Sequence, residues 1–206
     1  MIYDYFAEIA KYVGEALGYS FDEKKTEEVR DFWKNVRGKV YMEYEIVMAT
    51  EADRSEILAL YKAQIGREYC PWDERYPSNE AIDWDLSRNA LFVLRMNGKI
   101  NAAVSIEEDE EVDLLPCWDK SIIPVGELAR LAVLPVEQNK SLGRIMLKFG
   151  MDELKRRGFK GIHILVNKYN VKAIRCYAVF GFRMVGECHM YEQEFLCYEK
   201  ELVETK

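Results

Sequence analysis

Apolar positions change their spacing several times along the chain, and each change marks an element. Ile2, Phe6, Ile9, Val13 and Leu17 recur every three or four residues, the spacing of one helix face, and Gly18 is a natural stop. Val29, Phe32, Trp33 and Val36 repeat the pattern before Gly38. Residues 1–42 are therefore expected to form a helical extension that docks on the main domain, because so short a piece has no core of its own.

From residue 43 onward, strand-like and helix-like runs alternate. A strand is predicted over 45–49. Thr50 with Asp53 three residues later reads as a loose capping box, opening a helix that runs to about Gly66. Residues 68–77 (EYCPWDERYP) form a loop rich in aromatic and charged side chains, and Ser78 caps a short helix. Two strands over 91–96 and 100–106 flank Asn97-Gly98, a strong hairpin signal. The acidic run 107–111 would favour a positively charged amine, but reads first as a solvated hairpin end. A strand over 125–134 stops at Pro135. A helix over 141–157 ends at Gly158, with Lys155, Arg156 and Arg157 well placed for its dipole. A strand over 161–166, a helix over 170–180 closed by Gly181, and an antiparallel pair over 182–185 and 194–202 complete the chain. The order is mixed α/β with an antiparallel first half.

Composition narrows the function classes. The chain has 206 residues, 49% of them apolar, which suits one sizeable packed domain. Lys and Arg number 29 against 36 Asp and Glu, for a net charge of −7. An acidic chain lacks the general field that draws phosphate backbones, so no nucleic-acid partner is expected. No apolar run reaches the roughly 20 residues that span a bilayer, and the acidic, periodic N-terminus does not have the form of a signal peptide. Cys70, Cys117, Cys176, Cys188 and Cys197 are scattered and odd in number. They read as reduced thiols of a cytoplasmic protein. Two histidines, His163 and His189, offer little for a metal site, and none is expected.

Chemistry concentrates in residues 128–150, LARLAVLPVEQNKSLGRIMLKFG. A strand ends at a proline, a polar turn follows and a helix begins. The free N–H groups of a helix's first turn form a ready anion site, and Lys140 and Arg144 add positive charge. Each charge-assisted hydrogen bond to a phosphate contributes roughly 1.5–3 kcal/mol, so a few would hold a pyrophosphate without a metal. Taken alone, the same junction also fits an ordinary helix capped by Ser141. A second run, 170–182, opens with Asn170, a good N-cap. It places Tyr177 two turns along the same face and leaves through Gly181.

Together these runs resemble the GNAT superfamily of N-acetyltransferases. That family carries a loop close to Gln-x-x-Gly-x-Gly/Ala after a strand ending in Leu-Ala-Val-x-Pro. Here the strand end is Leu131-Ala132-Val133-Leu134-Pro135 and the loop is Gln138-Asn139-Lys140-Ser141-Leu142-Gly143. The later Asn-x-x-Ala, Tyr, Gly-Phe pattern matches Asn170, Ala173, Tyr177, Gly181 and Phe182. The resemblance covers residues 43–202 and is strongest from 127 to 182. It departs at Ser141, where the family has a glycine that lets backbone approach phosphate closely.

The resemblance implies an N-acetyltransferase domain over 43–206: a mixed, mostly antiparallel sheet flanked by helices and splayed between its fourth and fifth strands. It implies acetyl-CoA as co-substrate. Leu131, Ala132 and Val133 would line the pantetheine arm, through the backbone at 131 and 133. The amides and side chains of Gln138, Asn139, Lys140, Ser141, Leu142, Gly143 and Arg144 would hold the pyrophosphate, with Asn170 and Tyr177 beside them. Tyr177 corresponds to the family's tyrosine that serves the leaving sulfur. Glu127 matches a glutamate that acts as general base in some members, while others use a water chain. A strand glutamate paired with Arg130 or Lys200 weighs equally. Cys176 reads as a buried thiol, not a nucleophile, since no histidine partner is evident.

Trp72, Asp73 and Tyr76 are candidates for holding the acceptor amine, by cation–π attraction and charge. Polyamine-like amines, amino acids and protein amines all fit, and self-association into a homodimer is left open. Two alternatives keep the fold: a non-catalytic acyl-CoA-binding sensor, and a transferase of another acyl group.

Overall fold

The computed structural model describes residues 44–68, 70–107 and 109–202. The helical extension expected over 1–42 lies outside the described residues. Seven strands form one sheet in the order β1-β2-β3-β4-β5-β7-β6. They are β1 (Tyr44–Met48), β2 (Leu91–Met96), β3 (Lys99–Glu107), β4 (Val125–Val133), β5 (Gly161–Asn167), β6 (Arg183–Met190) and β7 (Gln193–Glu201). The helices are α1 (Arg54–Lys62), α2 (Asn79–Ser87), α3 (Glu110–Asp113), α4 (Leu142–Arg156) and α5 (Val171–Val179). All neighbouring strands are antiparallel except β4 and β5. That parallel pair is in register only at Val125–Gly161, Gly126–Ile162 and Glu127–His163. Beyond Glu127 the two strands part, which is the expected splay.

Local signals explain the frame. The capping box at Thr50 and Asp53 forms, with the Thr50 amide donating to Asp53 at 2.9 Å, and Arg95 also reaches Asp53. It opens a short 3₁₀ turn, Glu51–Asp53, before α1. Asn97 and Gly98 both take positive φ, 51° and 74°, as a two-residue hairpin turn of that twist requires. Asn170 caps α5 by accepting from the Ala173 amide at 3.1 Å.

One sheet face packs on α4 and α5. Its core includes Leu128, Ile145, Met146, Leu147, Leu154, Ile162, Ile164, Tyr177 and Phe180. At Gly150 a Cβ would stand 2.7 Å from Leu128 Cδ2. Glycine there lets α4 lie close on β4, so the first turn of α4 sits against the end of that strand. On the opposite face α1 and α2 cover the β1–β4 half, with Ile57, Leu60, Tyr61 and Ile82 fully buried.

The acidic run is exposed at Glu110 and Glu111, as expected, but it opens a short helix and does not end a hairpin. Asp109 caps α3, accepting from the Glu111 amide at 2.9 Å and the Val112 amide at 3.3 Å. From there a strap folds back over β5, β7 and β6. Val112 and Trp118 are buried against Cys197, Leu165, Val185 and Met190. Apolar residues just downstream of the acidic run thus pull it onto the sheet. The final hairpin is also longer than its predicted first strand, because β6 continues to Met190.

Candidate active site

Where β4 and β5 separate, a cleft of about 1350 Å³ opens. It collects nearly every residue singled out in the sequence: Trp72, Asp73, Tyr76, Glu127, Leu131, Ala132, Val133, Gln138, Asn139, Ser141, Leu142, Gly143, Arg144, Asn170 and Tyr177. Lys140 is the exception. Its ammonium pairs with Glu137 at 3.0 Å on the outer surface, because the side chain leaves the turn away from the cleft. Arg144, in the first turn of α4, faces the cleft instead.

The wall of this cleft is a β-bulge. Ala103 faces Ala132 and Ser105 faces Ala129, so one residue of β3, Val104, stands opposite two of β4, Arg130 and Leu131. Arg130 takes φ 50°, a left-handed conformation that a non-glycine residue holds at a cost. Its guanidinium forks onto Asp85 of α2 at 2.7 and 3.0 Å, and Asp85 is fully buried. Ser105 also donates to Asp85, and a third nitrogen of Arg130 reaches the Tyr76 hydroxyl at 2.9 Å. The bulge is therefore held from α2 and tied to the loop that carries Trp72 and Tyr76.

After the bulge, strand alternation resumes. The Leu134 amide donates to Asn101 in β3 at 2.8 Å, so the polar groups of Val133 turn the other way, into the gap. The Val133 carbonyl accepts there from the side-chain amides of Gln64 at 3.1 Å and Gln138 at 3.3 Å. Gln138 also accepts from Arg67 at 3.1 Å. This glutamine fixes the loop to the strand end and to the end of α1. The side chains of Ala132 and Leu142 are buried in the two cores, which leaves only their backbone for a ligand.

The turn before α4 shows why the family position at 141 favours glycine. Asn139 and Ser141 both lie in the left-handed region, at φ 64° and 67°. Ser141 makes no side-chain capping bond, so the capped-helix reading does not describe it. Its hydroxyl does not satisfy the first-turn amides, and the alternation of backbone signs shapes a concavity suited to an anion. These features fit a pyrophosphate, with Arg144 as the nearby charge. Among the described residues no cluster of His, Cys, Asp or Glu could hold a metal.

Glu127 is 8% exposed and sits at the last paired position before the splay. Of the partners considered from sequence, Arg130 has its fork on Asp85. Lys200 pairs with Ile162, one residue away from the His163–Glu199 position, and so points to the other sheet face. Tyr177 rises from α5, packed against Phe182 and Tyr198 with ring centroids 5.6 and 5.9 Å away. Burial pushes its phenol well above the ordinary range, and the neighbouring Cys176 and Glu127 push the same way. The Cys176 thiol is pushed up to about 11 by burial, against the lowering effect of Arg144, and is a poor nucleophile at neutral pH.

Of the three acceptor candidates, Trp72 meets Tyr61 and Tyr76 edge to face at 5.5 and 6.4 Å. Asp73 is taken up by its own loop, accepting from the Arg75 amide and guanidinium and from the Tyr76 amide. One residue missed in the sequence completes the mouth, beside Asp109 of the acidic run. Tyr191, in the β6–β7 turn, donates to Asp109 at 3.1 Å. Burial, then Asp109, Glu127 and Glu111, hold its phenol high. The left-handed pair Tyr191–Glu192 was the available signal, but its sequence carries no glycine or asparagine to mark it.

Comparison with known proteins agrees with this geometry. A sequence profile described as the acetyltransferase (GNAT) family matches residues 57–182. The ribosomal protein bS18 alanine N-acetyltransferase of Escherichia coli is 28% identical over 131 residues, covering 63% of this chain and 76% of that protein. The mycothiol acetyltransferase of Streptosporangium roseum is 37% identical over 59 residues, covering 29% of this chain but only 18% of that protein. The solved structure of the Escherichia coli ribosomal-protein-S18-alanine N-acetyltransferase superposes with a TM-score of 0.61 at 19% identity, over 80% of this chain and 97% of that one. The PaiA N-acetyltransferase of Thermoplasma acidophilum, solved with coenzyme A, gives 0.60 at 16% identity, over 78% and 99%. The bulged fourth strand, the splay, the turn into α4 and the profile match lead to one conclusion: the chain belongs to the acetyltransferase (GNAT) family.

Proposed function

We propose that the protein transfers an acetyl group from acetyl-CoA to a primary amine by direct attack in a ternary complex. The observation that carries this reading is that Glu127 and Tyr177 open into one cleft, where β4 and β5 part, beside the anion-shaped turn into α4. The first-turn amides of α4 and Arg144 hold the pyrophosphate. The backbone of Leu131 and Val133 lines the pantetheine arm, with the bulge aiming it along the gap. An amine held beside the thioester then reacts as a near-intramolecular nucleophile.

Glu127 takes the proton from the amine, and Tyr177 gives one to the departing sulfur. Burial keeps the Tyr177 phenol protonated throughout the working range, as a proton donor requires. The unreactive Cys176 thiol favours direct aminolysis over an acyl-enzyme. Trp72 and Tyr76 on one side, with Asp109 and Tyr191 on the other, frame the acceptor. An ammonium group suits their π-faces and negative charge. Peptide amines are a reasonable first choice, since one relative is named for an alanine N-acetyltransferase activity.

Thiol release from acetyl-CoA, measured against peptides with free N-terminal alanine, lysine peptides, spermidine and amino acids, tests the reading. Turnover with at least one amine is expected. CoA binding with no turnover for any amine would favour the sensor alternative.

A further inference from the structure

The proposed reaction releases one proton that must leave the site. The nitrogen of an alkylammonium goes from three protons to one as its bond to the acetyl carbon forms. One of the two protons goes to the sulfur as the carbon–sulfur bond breaks, and the other ends in solvent. Glu127 is 8% exposed and would be covered by both substrates during the reaction. A route that does not pass through the mouth is needed.

Strand register supplies one. Glu127 faces His163 across β4 and β5, His163 faces Glu199 across β5 and β7, and Glu199 faces Arg183 across β7 and β6. Residues in register on neighbouring strands project to the same sheet face, so these four form one row. His163 is 3% exposed and Glu199 fully buried. The strap roofs the row: the Trp118 ring stacks on the His163 imidazole at 3.9 Å and 11°, held by its Nε1 donating to the Val112 carbonyl at 2.7 Å. His163 Nδ1 lies 3.3 Å from Asp113 of α3, whose side chain is 42% exposed. His163 Nε2 makes no hydrogen bond, although Glu199 Oε2 stands 3.5 Å away. Glu199 itself accepts from the Asp119 amide at 2.9 Å and from Arg183 at 3.2 Å.

We propose that His163 relays the proton released at Glu127 to Asp113 and from there to solvent. This rests on the reading of Glu127 as base. Glu127 and His163 are direct register partners on neighbouring strands, and a water taken up between them would carry the proton from the carboxyl to the ring. An imidazole can accept at one nitrogen and release from the other. Nε2 takes the proton, Glu199 and Asp113 flank the transient imidazolium, and Nδ1 passes its proton to Asp113. The Glu127 carboxylate is regenerated, Asp113 releases the proton to water, and the ring returns to its first tautomer before the next turnover. Burial lowers the His163 pKa while Asp113 and Glu199 act in the raising direction, so the ring rests neutral, and the two carboxylates offset part of the cost of charging it. Glu127, Glu199 and Arg183 are the charged groups of the row, and the strap above it adds Asp109, Glu110, Glu111, Asp113, Asp119 and Lys120.

The test measures kcat with acetyl-CoA and the alanine peptide or spermidine, whichever turns over faster. Wild type, Glu127→Gln, His163→Gln and Asp113→Asn are compared from dilute to concentrated imidazole buffer. The two relay variants should be slowed about 10²-fold or more in dilute buffer, within the range for a lost proton-transfer step, and should recover as buffer rises. Asp113 is partly exposed, so Asp113→Asn decides the matter if His163→Gln does not fold. Wild-type rates in Asp113→Asn, or losses that no buffer repairs, would overturn the relay. If Glu127→Gln is slow while the relay variants keep wild-type rates, the relay fails and the base stands. If Glu127→Gln matches wild type, the base assignment fails and the relay falls with it.

Discussion

Replacing Asp85 with alanine should destabilise the domain by about 3–5 kcal/mol, the usual cost of removing one member of a buried ion pair. The magnitude follows from the contacts. Asp85 is fully buried and accepts two charge-assisted bonds from Arg130, at 2.7 and 3.0 Å. Ser105 and Arg88 reach it as well, and the Arg130 side chain is itself only 6% exposed. For a domain of this size each kcal/mol shifts the melting temperature by about 2–4 °C, so a fall of about 6–20 °C is expected by calorimetry. The bulge gives the variant a second consequence. Once Arg130 loses its fork, the left-handed residue can relax and Leu131 moves. A displacement near 1 Å at the reacting groups can cost about 10²-fold in rate, so kcat in the folded fraction should fall more than CoA affinity does. An Asp85→Ala/Arg130→Met double variant should recover stability, because apolar replacement of a buried pair is often neutral, but not the rate. Urea unfolding of Asp85→Ala within about 1 kcal/mol of wild type, or a double variant no more stable than the single one, would refute the reasoning.

Other outcomes are equally definite. Tyr177→Phe should lower kcat by about 10²–10⁴-fold with little change in CoA affinity measured by calorimetry. Because burial raises the Tyr177 pKa, its acid form persists above the ordinary tyrosine value of about 10. The wild-type rate should therefore show no alkaline fall from this group until beyond that pH. Glu127→Gln should be slowest near neutrality and recover partly as pH rises toward the amine's own pKa of about 10.4; a pH–rate profile overlaying wild type would remove Glu127 from the mechanism. Gly143→Asp should weaken CoA binding severely, with or without a chelator, by setting like charge beside the phosphates. Ser141→Gly should raise stability by about 1 kcal/mol by relieving its left-handed strain, without loss of CoA affinity.

The sequence by itself determined those features that depend on neighbours along the chain. Hairpin twist at Asn97-Gly98, the capping box at Thr50, the cap at Asn170 and the exits at Gly158 and Gly181 are local backbone physics, so they were legible. The turn from Pro135 into α4 and the spacing of Asn170, Tyr177 and Gly181 were legible for the same reason. They place the cofactor side of the cleft. What only the tertiary structure decided involves residues far apart in the chain or the choice of strand register. Arg-Leu-Ala-Val reads as plain strand. The bulge at Arg130 is held by Asp85, 45 residues away, which accepts from its guanidinium. The acidic run read as a hairpin end, yet the segment after it folds over the sheet as a roof through Val112 and Trp118. The row from Glu127 through His163 to Glu199 follows from pairing across three strands. A register slip of one residue would turn a strand's side chains to the opposite face, so no sequence spacing could have announced that row.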